Sequence, residues 1–246
     1  MNTCLSIAGS DPSGGAGIQA DLKTMTVNGV YAMCAITALT VQNTLGVTNI
    51  LEVGPEFLGQ QLDAVFQDIR PDAVKVGMVS SAGLIRVIAQ KLRPYGAQNV
   101  GVDPVMVATG GSRLVREDAR AALMERLLPL ASMITPSVPE AEGLTGRSIT
   151  GEAQMEEAAR RLGEMYPGAV LIKGGHQVSD ANDLLYDRGR LVWLRGERID
   201  DPNTHGPGCT PPAATARHLV KRFPKGESIR TAQANMSSAM RPGLAP

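Results

Sequence analysis

Residues 73–102 read AVKVGMVSSAGLIRVIAQKLRPYGAQNVGV, and their pattern decides the fold class. A short apolar run at 73–76 leads into a segment, 82–92, whose apolar residues recur at helical spacing, and a second apolar run follows at 100–102. Short uninterrupted apolar runs suit strands covered on both faces, and the periodic segment suits a helix lying across them. The alternation extends both ways along the chain. Apolar runs fall at 5–8, 31–39, 133–134 and 169–172, and helical periodicity falls at 17–27, 55–69, 118–130 and 154–165. This succession predicts an α/β protein with a mainly parallel central sheet covered on both faces. Residues 183–195, DLLYDRGRLVWLR, read as a hairpin turning at 187–189, and two last helices are expected at 213–222 and 228–240. No repeat, linker or low-complexity stretch interrupts the pattern, so residues 1–246 read as one domain.

Composition narrows the function classes. Apolar residues make up 43% of the 246 residues and charged residues 20%, which suits a packed core and not a disordered chain. Twenty-four Lys and Arg balance 24 Asp and Glu, so the basic surplus of a nucleic-acid binder is missing. No apolar run approaches the roughly 18–20 residues of a membrane span, and the start, MNTCLSIAGSDPSGGAG, has no signal-peptide character. Only Cys4, Cys34 and Cys209 occur, an odd set that argues against a disulfide framework. A soluble, cytoplasmic protein is expected.

In open parallel sheets, ligands bind outside the carboxyl ends of the strands. The segments that should lie there are GSDPSGGAG, QNTLG, KVGM, DPVMVATGG, TPSVPEAE, KGGH and NTHGPGCT. Residues 9–17 hold four glycines between a strand and a helix, so they read as a backbone-amide cradle or as a tight turn. Neither the GK[ST] of a phosphate loop nor the GxGxxG spacing is present. Asp21 falls one helical turn beyond Gly17, either pointing back to that loop or solvated. Gln42 offers a donor and an acceptor side by side, as an aminopyrimidine edge requires, unless it only caps a loop. Lys173 closes an apolar run beside Gly174 and Gly175, a place for a phosphate clamp or a solvated strand end. Asp103 and Glu140 follow strand ends, where carboxylates hold Mg²⁺ through water. In residues 203–210, Cys209 lies at an expected helix start that favours a thiolate, and the flanking glycines suit an anion hole. His176, His205 and His218 lack metal-ligand spacing. Cys4 and Cys34 read as inert core.

These residues together resemble the hydroxymethylpyrimidine and phosphomethylpyrimidine kinases of thiamin biosynthesis, within the ribokinase-like family. The resemblance runs from Leu5 to about Leu244. It is carried by IAGSDPSGGAGIQADLKT (7–24), ITALTVQNTLGV (36–47), KVGM (75–78), VDPVMVATGG (102–111) and LIKGGH (171–176). It implies a three-layer αβα sandwich, ATP and Mg²⁺ as cofactors, and commonly a homodimer. The aminopyrimidine would be held by Gln42, with Asp21, Met78, Gly9 and Thr40 around it. Lys173 and Thr204 would serve ATP, and Glu140 and Asp103 would lie on the Mg²⁺ side. Cys209 would act as base, beside the amides of Gly206 and Gly208.

The sequence departs from the family pattern in three places. THGPGCT replaces THGTGCT, so Pro207 lacks one backbone N–H in the expected anion hole, and Pro211–Pro212 follow. Ser137 stands where the family has Asn, and the chain ends at MRPGLAP without the glycine-rich tail usual in the family. Reduced turnover is the expectation. A pyridoxal-type vitamin kinase and a weakly active or inactive pyrimidine-binding relative are the alternatives.

Overall fold

The structure is a computed structural model that describes residues 1–105, 117–174 and 182–195. The segment 73–102 folds as its pattern requires. Strand β5 (Ala73–Val76) is buried along its whole length, α3 (Ala82–Leu92) follows, and β6 (Val100–Val102) pairs parallel to β5. Ser81 caps α3 by accepting from the Leu84 N–H, and the helix buries Leu84, Ile85, Ile88, Ala89 and Leu92 along one stripe. Lys91 near its end meets Asp63 of α2 (Pro55–Asp68) at 2.5 Å, and Tyr95 stacks on Phe66 with centroids 4.8 Å apart.

The remaining elements are β1 (Thr3–Ala8), α1 (Gly17–Val27), β2 (Tyr31–Ile36), β3 (Ala38–Asn43), β4 (Gly46–Glu52), α4 (Glu117–Ala122), β7 (Met133–Ile134), α5 (Val138–Thr145), α6 (Glu152–Met165), β8 (Ala169–Ile172), β9 (Asp183–Asp187) and β10 (Arg190–Leu194). Eight strands form one sheet in the order β10-β9-β8-β7-β6-β5-β1-β2. From β2 to β8 every pairing is parallel, and the last two pairings, β8–β9 and β9–β10, are antiparallel. That hairpin turns at Arg188 and Gly189, both with positive φ, as expected from sequence.

Alternation along the strands separates two faces. Leu5, Ile7, Val74, Val76, Val102, Ile134, Val170 and Ile172 join residues of α2 to α6 in the main core. Cys4 and Ala73 face the other way and pack with Met25 of α1. Helices on both faces make this the expected three-layer αβα sandwich. Strand β1 has β2 on one side and β5 on the other, and the chain reaches β2 through α1 but β5 through α2 on the opposite face. The crevice beyond β1 and β5 is therefore the topological switch point of the sheet.

Three sequence expectations are corrected here. The run 31–39 is not one strand: Ile36 N donates to Gln61 Oε1 of α2 at 2.9 Å and the Ile36 carbonyl accepts from Gln61 Nε2 at 3.1 Å, which ends β2. Beyond Thr37 the chain leaves the sheet and forms the separate antiparallel pair β3–β4. The expected helix 118–130 is helical throughout but widens after α4 into a π turn, Leu123–Leu127, and tightens into a 3₁₀ turn, Leu128–Leu130. The post-strand segment TPSVPEAE, residues 135–142, is not all loop: α5 begins within it at Val138. The expected helices at 213–222 and 228–240 lie outside the described residues.

Candidate active site

The polar residues of the strand ends gather into two neighbouring groups. The first surrounds the switch point. Gly9 follows β1, and Met78 follows β5; a Cβ on Gly9 would lie 2.7 Å from Met78 Cε, so the two are in contact. The β3–β4 hairpin stands beside them. Thr40 Oγ1 donates to the Ser10 carbonyl at 2.8 Å, and lies 3.4 Å from Gln42 Oε1. Gly9, Thr40, Gln42 and Met78, singled out from sequence, thus belong to one cluster. Gln42 reaches it from the hairpin and not from the end of a sheet strand.

The glycine segment 9–17 is not an open cradle. Asp11 is fully buried, and its carboxylate accepts from Ser13 N at 2.9 Å, Ser13 Oγ at 2.7 Å, Gly15 N at 3.1 Å and Ala16 N at 2.8 Å. These donors are already matched to a carboxylate of the same loop, which favours the tight turn of the two readings. Gly17 has φ +55°, and a Cβ there would lie 2.3 Å from the Gly9 carbonyl oxygen, so no side chain fits. Ile18 N donates to that oxygen at 2.9 Å and closes the loop.

Asp21 does not point back to the loop. It is fully buried, and its Oδ2 accepts from Ser6 Oγ at 2.5 Å and from Lys75 Nζ at 2.8 Å. Its Oδ1 has no hydrogen-bond partner among the described residues and reaches no open surface. Asp21 is therefore engaged with Lys75 and Ser6. Burial pushes its carboxyl up, against the pull of the Lys75 ammonium. Lys75 is itself 1% exposed, and its Nζ would lie 2.7 Å from a Cβ on Gly77, so Gly77 lets the ammonium sit directly under the backbone leading to Met78. The same surroundings push the Cys4 thiol up to about 12, chiefly by burial and then by Asp21. Burial also raises the half-buried Cys34 thiol, so neither described cysteine is a reactive thiolate.

The second group lies beyond β6, β7 and β8. Lys173 Nζ meets Asp103 Oδ1 at 2.6 Å, and Thr135 Oγ1 donates to the same oxygen at 3.1 Å. Ser137 caps α5, and its N–H donates to Glu140 Oε2 at 2.7 Å, a capping-box contact. Ser137 also bridges to Lys173 by strand-like pairing, which brings α5 up to the end of β8. Burial raises the Glu140 carboxyl; Lys173 pulls it down and Asp103 pushes it up. Among the described residues no three His, Cys, Asp or Glu side chains gather as a metal cage. Two carboxylates beside a lysine fit a Mg²⁺ held largely by water and phosphate oxygens, the usual preference of that ion. Thr204, Gly206, Pro207, Gly208 and Cys209 lie outside the described residues.

Ser6, Lys75, Thr37, Asp11 and Thr135 escaped the sequence reading. Lys75 carried a signal: a lysine within a short apolar strand covered on both faces requires a buried partner.

An αβα sandwich with two polar groups at its strand carboxyl ends, one at the switch point and one of lysine and carboxylates, is the arrangement of a ribokinase-like phosphotransferase. The family model for phosphomethylpyrimidine kinase matches residues 11–246. A hydroxymethylpyrimidine/phosphomethylpyrimidine kinase of Rhizobium meliloti is 50% identical over 238 residues, which cover 96% of this chain and 89% of the relative. A bifunctional thiamine biosynthesis protein of Geobacter sulfurreducens is also 50% identical over 238 residues, 96% of this chain, but the chain spans only 49% of its length. Among solved structures, a Clostridium difficile phosphomethylpyrimidine kinase superposes with TM-score 0.88 at 37% identity, covering 98% of this chain and 100% of the other. A Bacillus subtilis pyridoxal kinase in an ADP complex superposes with TM-score 0.89 at 35% identity, covering 100% and 93%. The chain belongs to the phosphomethylpyrimidine kinase family, and is an enzyme of the hydroxymethylpyrimidine/phosphomethylpyrimidine kinase type in thiamine biosynthesis.

Proposed function

We propose that the enzyme transfers the γ-phosphoryl group of ATP to the hydroxymethyl oxygen of 4-amino-5-hydroxymethyl-2-methylpyrimidine, and then phosphorylates the monophosphate. The observation that carries this reading is the contiguity of the two polar groups along the carboxyl ends of one sheet, the acceptor cluster at the switch point and the lysine–carboxylate cluster beside it. Gln42 reads the aminopyrimidine edge, with Thr40, Met78 and the Gly9 backbone closing the pocket. Lys173 and Thr204 bind ATP phosphates, and Lys173 is oriented by Asp103. Mg²⁺, when bound, neutralises phosphate charge; Asp103 and Glu140 hold its water shell. Cys209 takes the proton from the attacking hydroxyl, and the Gly206 and Gly208 amides face the transferring group. Most of the acceleration comes from positioning and charge stabilisation, as phosphoryl transfer requires.

The enzyme works in the cytoplasm as a homodimer. Leu39, Val41 and Leu51, on the outward side of the hairpin, are 48%, 59% and 68% exposed, which supports a partner subunit there. Among the described residues no helix is long and apolar enough to cross a membrane. A coupled ADP-release assay with the aminopyrimidine, with pyridoxal in parallel and with Mg²⁺ withdrawn by chelation, tests the reading. Metal-dependent turnover that favours the pyrimidine is expected. Preference for pyridoxal would move the enzyme to the pyridoxal kinases that share its fold, and pyrimidine binding without turnover would make it an inactive relative.

A further inference from the structure

Thr37 sits between β2 and β3 and is fully buried. Three walls of the acceptor pocket meet on it. Its N–H donates to the Ala8 carbonyl at 2.9 Å, next to Gly9, and its carbonyl accepts from Val53 N at 2.9 Å, just past the end of β4. Its hydroxyl donates to the Met78 carbonyl at 2.9 Å. The flanking residues are pinned as well: Ile36 by Gln61 of α2, and Ala38 by a 2.8 Å bond from Ser10 N to its carbonyl.

A β-branched residue suits this extended, buried position, and valine has the same shape as threonine. Valine lacks only the hydroxyl, whose single proton goes to Met78. Met78 lies past the end of β5, where ladder pairing has stopped. Without the Thr37 proton its carbonyl loses its bond to the root of the hairpin, and a further tie of the segment there, Ser81 Oγ donating to Glu52 of β4, lies three residues further on.

We propose that Thr37 is a positioning residue for the acceptor substrate: its hydroxyl locks the root of the β3–β4 hairpin to the Met78 carbonyl, so that the hairpin carrying Gln42 and the segment carrying Met78 keep one spacing. This rests on the pocket assigned above to the aminopyrimidine.

The test measures dissociation constants for 4-amino-5-hydroxymethyl-2-methylpyrimidine by titration calorimetry. The proteins are the parent, Thr37→Val, Thr37→Ala, Thr37→Ser and Gln42→Ala, with Thr37→Val and Thr37→Ala each also combined with Gln42→Ala, and each has its melting temperature and its KM for ATP measured. Thr37→Val should weaken pyrimidine binding by about tenfold, the effect of one buried hydrogen bond, with the KM for ATP little changed. Thr37→Ser, which keeps the hydroxyl, should bind like the parent. With Gln42 already truncated, losing the hydroxyl should add little, because the two residues act on one contact. Thr37→Ala is read in the same cycle, so a folding defect confined to valine leaves the test intact. Parental affinity in Thr37→Val, equal losses in Thr37→Val and Thr37→Ser, or the same loss with and without Gln42 would each overturn the positioning role while leaving the pocket in place. Parental affinity in Gln42→Ala would remove the pocket itself, and this inference with it.

Discussion

Replacing Lys75 by methionine keeps most of the side chain's length and removes its charge. Asp21 then loses the only cation shown bonded to it, deep in the protein, with its Oδ1 already unpartnered among the described residues. Breaking a buried ion pair from one side destabilises by about 3–5 kcal/mol. For a chain of this size each kcal/mol shifts the melting temperature by roughly 2–4 °C, so a loss near 10 °C is expected around neutral pH. The deficit should depend on pH, and its sign follows from Asp21. Burial already holds this carboxyl above its ordinary value, and Lys75 pulls it down. Removing Lys75 lifts it further. A carboxyl raised in the folded state gives stability that is fully present below its unfolded pKa and lost as pH rises through the folded one. The variant should therefore trail the parent most in alkaline buffer, and the gap should narrow toward acid. The groups nearby that also titrate or carry charge are Cys4 and Asp103, and they remain in both proteins. Thermal and urea melts from pH 5 to pH 8.5, following far-ultraviolet circular dichroism, read the effect. Adding Asp21→Leu should recover much of the loss, since an apolar pair substitutes for a buried ion pair at little cost. If Lys75→Met melts with the parent at every pH, or the double variant is no more stable than the single one, the buried pair does not carry the stability reasoned for it.

Three further outcomes follow from the site. Gln42→Ala should fold normally and lose about 1–3 kcal/mol of pyrimidine binding, the range for an unpaired buried polar group; unchanged affinity in a binding titration would refute the assignment. Cys209→Ala should melt within a few degrees of the parent and turn over on the order of a hundredfold more slowly, as a lost general base requires; steady-state rates decide this. Pro207→Thr should restore one backbone donor and raise turnover by roughly ten- to a thousandfold, with pyrimidine affinity changed much less; equal rates would mean that other amides build the anion hole.

The core of the fold was legible because its strands and helices obey their own periodicities. Val74, Val76, Val100 and Val102 announce a sheet covered on both faces, and Leu84, Ile88 and Leu92 announce the helix that covers it. Strand β4 was not legible, since most of its side chains are exposed and Thr48, Asn49, Ile50 and Leu51 show no alternation. Helix α5 was hidden by its brevity and by Pro139, which reads as a breaker but occupies the first turn, where proline is tolerated. At the site, residue types at strand ends pointed to Gln42, Lys173, Asp103 and Glu140. Which partner each one meets was not readable. Lys173 on Asp103, separated by 70 positions, and Lys75 on Asp21, separated by 54, depend on strand order, which a single sequence does not encode locally.

The β3–β4 hairpin pairs only with itself, while the lysine–carboxylate group rests on strands of the large sheet. Changes at the hairpin's tip leave the register of β1, β5, β6, β7 and β8 untouched. If the proposed roles hold, recognition of the acceptor and handling of the phosphoryl donor are mutationally separable. On that reading, a lineage built on this scaffold can alter its acceptor through hairpin substitutions while the phosphorylating residues stay in place.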